Sequence, residues 1–122
     1  MFPRMIAAIL SATLASPVPA GDALRGEQLY FARCGACHSL DSNGAGPRHR
    51  GVVGRRVASV PGFSYSAALQ QKKFVWDSAK VNRWLSNPNT FVPGNKMVVQ
   101  LANEPGDRAD LIAYLKTATK RK

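Results

Sequence analysis

Cys34-Gly35-Ala36-Cys37-His38 holds both cysteines of the 122-residue chain. Two thiols three positions apart can each add across one vinyl group of a haem, and the imidazole that follows can ligate the iron from one face. The spacing C-x-x-C-H reads as c-type haem attachment. Three other chemistries use these residue types. Zinc would take Cys34, Cys37, His38 and His49 as a Cys2His2 set, but structural zinc sites present two ligand pairs across a spacer, and here three ligands crowd into five residues. A thiol–disulfide oxidoreductase places its C-x-x-C near a βαβ pattern, whereas Asp22 to Arg33, just ahead of Cys34, reads as helix. A structural disulfide suits an exported protein but gives no role to His38 or to a downstream methionine.

The first twenty residues carry a single charge, Arg4, then an apolar run from Met5 to Ala15, then Ser16-Pro17-Val18-Pro19-Ala20, with small residues where a signal peptidase reads. This pattern predicts a secretory signal peptide over 1–20, too short in its apolar part to span a bilayer. Cleavage is expected after Ala20, with Ala23 as second choice. What remains, 21–122, is one domain without another transmembrane candidate, expected as a monomer in the periplasm or another extracytoplasmic space. The whole chain has 17 basic and 7 acidic residues, a formal charge of +10, and loss of Arg4 leaves +9. Such a field favours and speeds encounter with acidic surfaces. The basic residues are scattered, no nucleic-acid motif is present and the leader points out of the cytoplasm, so nucleic acid is not the expected partner.

After the leader, Asp22 is placed to cap a helix running to about Arg33, since its carboxylate can accept from the orphan amides of the first turn. Gly26 sits inside that helix, at a cost of about 1 kcal/mol against alanine, which a close helix crossing would justify. Tyr30 and Cys34 follow at successive turns of the same face, so the helix delivers Cys34 to the haem. Residues 39–60 read as loop, broken by Asn43-Gly44-Ala45-Gly46-Pro47, Gly51 and Gly54. A loop of that length argues against a compact domain unless it wraps a large apolar cofactor. A short helix is expected over Ser66 to Gln70 and a firmer one over Asp77 to Ser86, with Val81, Trp84 and Leu85 on its buried face and Asn87-Pro88 ending it. Phe91 to Met97 is expected to be irregular. The last helix opens at Pro105-Gly106-Asp107 with Asp107 as cap and buries Leu111, Ile112, Tyr114 and Leu115; Lys116, Lys120, Arg121 and Lys122 suit its C-terminal dipole. With no strand pattern of useful length, the fold class is all-α with long loops.

A six-coordinate iron needs a second protein ligand, and after the leader the chain offers Met97 and the spare His49. Methionine with histidine raises the potential and closes the iron to exchange, and the Pro93-Gly94 loop can hold the thioether in place. His49 lies only eleven residues past His38, so its loop would have to travel round the haem edge. An open sixth position would instead make a haem enzyme or gas sensor.

Taken together, these words resemble the small soluble class I cytochromes c over essentially all of 21–122. They are Gly26-Glu27-Gln28-Leu29-Tyr30, Cys34 to His38, Gly46-Pro47, Gly54-Arg55, Gly62-Phe63-Ser64-Tyr65, Trp76, Trp84-Leu85 with Asn87-Pro88, Pro93-Gly94-Asn95-Lys96-Met97, and Asp110 to Leu115. The resemblance implies the class I cytochrome c fold, with N- and C-terminal helices crossing through Gly26, Tyr30, Leu111 and Tyr114, and long loops wrapped round one covalent haem c. It implies thioethers at Cys34 and Cys37, iron ligation by His38 and Met97, and a Pro47 carbonyl accepting from the far nitrogen of His38. Arg55, Tyr65 and Trp76 match residues that hydrogen-bond the haem propionates. Asn95 stands where threonine is commoner and keeps a hydrogen-bonding side chain by the haem.

Three departures accompany the match. His49 replaces a haem-packing leucine between Arg48 and Arg50, a more polar wall that would lower the potential. Val98 to Leu101 is one residue short and lacks the usual aromatic. Asn89 and Thr90 stand where docking lysines often cluster. The implied function is that of a soluble monohaem electron carrier, not an enzyme, in a respiratory or related chain. Its partners would be acidic docking surfaces of a cytochrome reductase, an oxidase or a dehydrogenase, met through Arg33, Lys96, Lys72, Lys73 and Lys80.

Overall fold

The computed structural model describes residues 11–12 and 21–118. The expected signal peptide, apart from residues 11–12, and Lys120 to Lys122 lie outside the described residues. Among the described residues there are five helices: α1 (Ala23–Arg33), α2 (Ala67–Gln70), α3 (Ser78–Ser86), α4 (Pro88–Phe91) and α5 (Pro105–Thr117). The only pairing of extended backbone among them is one bridge between Arg56 and Val75. The all-α reading therefore holds, residues 39–60 form an irregular loop as expected, and the short helix expected over Ser66 to Gln70 is α2 with Ser66 as its cap.

Local chemistry sets where the helices begin. Asp22 has extended backbone and its carboxylate accepts from the amides of Leu24 and Arg25, which satisfies two donors that helix geometry orphans. Ser66 caps α2 through Leu69, and Asp77 caps α3 through Lys80. Two expectations need correction. Asn87-Pro88 does end α3, but the same Asn87 then starts α4: its side chain accepts from the Thr90 amide, and Pro88 occupies the first helical position, where its missing N–H costs nothing. Asp107 is not the cap of α5. Glu104 holds that position without a side-chain bond, Pro105 opens the helix, and Asp107 in the first turn pairs instead with Arg25, still on the end of the dipole that favours a carboxylate.

Helices α1 and α5 cross, and theirs is the most extensive helix–helix contact among the described residues. A side chain at Gly26 would overlap the Asp110 carbonyl, so the glycine pays its helical cost to let two backbones touch. Tyr30 and Leu111, each 1% exposed, fill the next turn, with Tyr114 behind them. Polar groups fasten the edge: Asp110 accepts from the Asp22 amide at 2.7 Å and from Arg25, which also pairs with Asp107. On α3, Val81 and Leu85 join this core. The Leu85 carbonyl accepts from the Leu101 amide, so the segment after Met97 is tied to α3 before it enters α5.

Candidate functional site

Helices α1, α2, α3 and α5 and the long loops between them together line a cavity of about 520 Å³. Its walls are mostly apolar, with Val52, Val57, Leu69, Val81, Leu85 and Leu111 among them. All nine residues singled out in the sequence line it: Cys34, Cys37, His38, Pro47, Arg55, Tyr65, Trp76, Asn95 and Met97. A chain this short seldom leaves such a space in its interior, since protein cores close to near-crystalline density. The cavity is what a large apolar group would occupy.

Cys34 ends α1, buried beneath Tyr30, while Cys37 is exposed one turn later; both are free thiols. Burial, more than any charge, pushes the Cys34 thiol up to about 11. The turn closes with the Cys37 and His38 amides donating to the Cys34 carbonyl, so the pentapeptide is a compact loop facing the cavity. His38 shares a 2.9 Å hydrogen bond between Nδ1 and the Pro47 carbonyl. The bond assigns the proton to Nδ1 and leaves Nε2 for a metal. Burial lowers the imidazole's pKa and the Pro47 contact opposes this, so the ring is neutral, the form that ligates. Gly46 lies against the ring, where a Cβ would overlap it.

Met97 is held by its neighbours. Its amide donates to the Asn95 side-chain oxygen at 2.7 Å, and the Asn95 amide group donates to the Val92 carbonyl at 2.9 Å. Asn95 is buried and its polar groups serve the loop, so although it lines the cavity its side-chain hydrogen bonds go to hold Met97 in place. The Met97 sulfur accepts from the Trp84 indole N–H at 3.1 Å. Periodicity placed Trp84 on the inner face of α3 but could not show that its one polar atom meets the thioether.

Tyr65 accepts at its hydroxyl from the Val60 amide, leaving its own proton to give. The Arg55 guanidinium, half-buried in the wall, donates to the Arg48 carbonyl at 2.9 Å and approaches that of Arg50. Trp76 packs edge-on against Phe74 and Trp84. All three line the cavity and carry donors of the kind that anionic groups would accept from.

His49, the other candidate ligand, stacks on His38 with ring centroids 4.0 Å apart and planes 17° from parallel. It lies beside the ring it would have to oppose, so it is not placed trans to His38. Its Nδ1 meets the Tyr30 hydroxyl at 2.9 Å. Burial first, then His38 and Arg55, push its pKa down to about 3. The spacing of 19 residues between Tyr30 and His49 gave no sign of this contact. Nor do Cys34, Cys37, His38 and His49 gather as the zinc alternative needs: among the described residues no group of three or more His, Cys, Asp or Glu is placed to hold a metal ion.

A haem fits these residues on the chemistry of the donor set. Two free thiols, one neutral imidazole with Nε2 available and one thioether line a single apolar-walled space.

Comparison with known proteins agrees. The family model described as Cytochrome c matches residues 23–119. Cytochrome c2 of Rhodomicrobium vannielii is 43% identical over 106 residues, covering 84% of each chain. Cytochrome c of Guizotia abyssinica is 40% identical over 104 residues, 83% of this chain and 94% of that one. The structure of cytochrome cH from Methylobacterium extorquens superposes with a TM-score of 0.75 at 44% identity, covering 80% of this chain and 99% of that chain.

Proposed function

The chain belongs to the cytochrome c family and so is an electron carrier with one covalent haem c and the class I fold, and from that premise we propose how its own residues hold and use the group. Cys34 and Cys37 form the two thioethers, and His38 and Met97 ligate the iron. The haem supplies a one-electron couple; everything else is done by the polypeptide. Pro47 orients His38 and makes it a better donor. Asn95 fixes the backbone at Met97, and the Trp84 N–H fixes the sulfur. Ligands held from both sides in this way need not move when the charge changes, which keeps reorganisation small. Arg55, Tyr65 and Trp76 receive the propionates, offsetting the cost of burying anions. The observation that carries this reading is the convergence of both thiols, His38 and Met97 on one cavity.

The experiment is a spectrum of both oxidation states with a redox titration. The red protein keeps its haem through acid–acetone extraction, and the ferric form shows the methionine-to-iron charge-transfer band at neutral pH. Haem that extracts freely would refute the thioethers, and absence of the band would refute Met97.

The finer biology is part of the same proposal. Residues 1–20 act as a secretory signal peptide and the carrier works in the periplasm or another extracytoplasmic space, in a respiratory or related chain. Among the described residues no helix is long and apolar enough to cross a membrane. Cleavage after Ala20 is favoured over Ala23 because Asp22 caps α1 and its amide donates to Asp110, contacts that the later cut would remove. The intact mass of the exported protein decides between them: a chain starting at Gly21 is expected, and one starting at Leu24 would overturn the assignment.

A further inference from the structure

Outside the ligand contacts already used, one buried constellation has no part in the site so far. Tyr30, at the α1–α5 crossing, packs on Tyr114 with centroids 5.3 Å apart and is 1% exposed. Its hydroxyl reaches His49 Nδ1 at 2.9 Å, and the His49 ring lies flat on His38. The His49 backbone is fixed at both of its polar groups, the amide donating to the Ser39 carbonyl at 3.0 Å and the carbonyl accepting from Val52 at 2.9 Å. A ring held at its backbone and at one nitrogen cannot rotate away. His38 meets it as a wall, while Pro47 and Gly46 bound the edge of the same imidazole.

We propose that His49 is a positioning residue for the axial imidazole: tethered by the Tyr30 hydroxyl, its ring sets the plane in which His38 stands and places a dipole beside the iron ligand. An aliphatic side chain would fill space there but could take neither the tether nor the parallel stack. The orientation of an axial imidazole governs how the unpaired electron of a ferric haem is shared among the porphyrin positions. A polar group by the metal also favours the ferric form, with its extra positive charge. The helix crossing and the haem potential are thereby linked through the Tyr30 hydroxyl, whose hydrogen bond is to His49. This rests on the assignment of His38 as a ligand made above.

The test compares wild type, His49→Leu, Tyr30→Phe and the double variant as haem-loaded proteins, by redox titration and by the paramagnetically shifted haem-methyl resonances of the ferric state. His49→Leu should raise the equilibrium constant for reduction against a fixed reference couple about three- to tenfold, the worth of one net hydrogen-bonded polar contact, and reorder the methyl shifts. Tyr30→Phe should move both readouts part of the way and add nothing in the His49→Leu background, because the tether acts only through His49. If His49→Leu does not accumulate with haem, Tyr30→Phe, which leaves the stack in place, carries the test alone. An unchanged potential overturns the proposal. So does a changed potential with unaltered methyl shifts, which would make His49 a polar wall and not a positioning residue, and so do additive effects of the two substitutions. A wild type without the methionine-to-iron band or with extractable haem fails at the ligand assignment instead, before any variant is compared.

Discussion

Met97 is held by a buried amide at its backbone and an indole N–H at its sulfur, and these two contacts act differently. The Asn95 bond decides where the thioether is; the Trp84 bond decides how much density it can give. An N–H aimed at a ligating sulfur withdraws charge from it, which disfavours the ferric state. Trp84→Phe keeps an aromatic ring in the wall and removes the donor, so the potential should fall. A net hydrogen bond of about 0.5–1.5 kcal/mol corresponds to a drop of about 20–60 mV for one electron, measurable by redox titration, and a rise would reverse the argument. Met97→Ala removes the proposed ligand: if Met97 holds the iron, the sixth site opens, the potential falls further, and carbon monoxide or cyanide binds with a spectral change. An unchanged spectrum would mean that another residue is the ligand. Pro47, Arg55, Tyr65, Trp76 and Asn95 came from the family resemblance. That Cys34, Cys37, His38 and Met97 line one cavity was readable in advance because thiols, imidazole and thioether are rare here and their spacing favours haem over zinc or a disulfide. How they are tuned was not. The contacts of Trp84 with Met97 and of Tyr30 with His49 join segments 13 and 19 residues apart, and no periodicity or spacing specifies which atom of a buried aromatic ends at which neighbour.

Between elements, one carboxylate fastens the edge of the α1–α5 crossing. The Asp110 pKa lies below its ordinary value, first because the Asp22 amide donates to it and then because Arg25 does. A carboxyl whose pKa is lower folded than unfolded stabilises the fold above the unfolded value near 3.9 and loses that contribution as pH falls through the folded value. Asp110→Asn should therefore melt below wild type at pH 7, and the gap should close as the pH is taken from about 4 down to 2. A gap that persists at pH 2 would assign the loss to altered packing, not charge. The crossing was legible because a glycine inside a helix asks for a reason, and Gly26 against the Asp110 carbonyl is that reason. The turn α4 was not, because proline is read first as a stop. Asn87, with φ −158° and ψ 100°, ends one helix and caps the next within a single residue, and only the folded backbone shows the second act. Asp107 misled in the same way: a good capping residue next to Pro105-Gly106 was recruited by Arg25 from another helix, a tertiary partner that outweighs a local preference.

At the scale of the whole molecule, the excess of positive charge is distributed unevenly by local pairing. Asp41 pairs with Arg50, Asp77 with Lys80, Glu104 with Arg33, and Asp107 and Asp110 with Arg25. Two of the five cations expected to dock partners, Arg33 and Lys80, are thus partly neutralised at home, at half-exposed pairs worth little to stability but enough to change the field. Among the described residues Lys96, Lys72 and Lys73 form no ion pair, and Lys96 lies on the cavity lining beside Met97 with Val98 exposed next to it. A positive charge at the mouth of the cavity and an apolar residue beside it suit a brief encounter with an acidic partner, fast to form and fast to leave. Electron transfer to such a partner should slow by about tenfold or more between 0.01 and 0.15 M salt, as the screening length falls from roughly 30 to 8 Å. Lys96→Glu should slow it at low salt more than Lys80→Glu does, because the second substitution replaces a cation whose field Asp77 already cancels in part. Stopped-flow rates, with each variant's potential measured so that driving force is held apart from docking, test both statements. Rates indifferent to salt would remove steering altogether, and equal effects of the two substitutions would show that net charge, not its placement by ion pairing, governs the encounter.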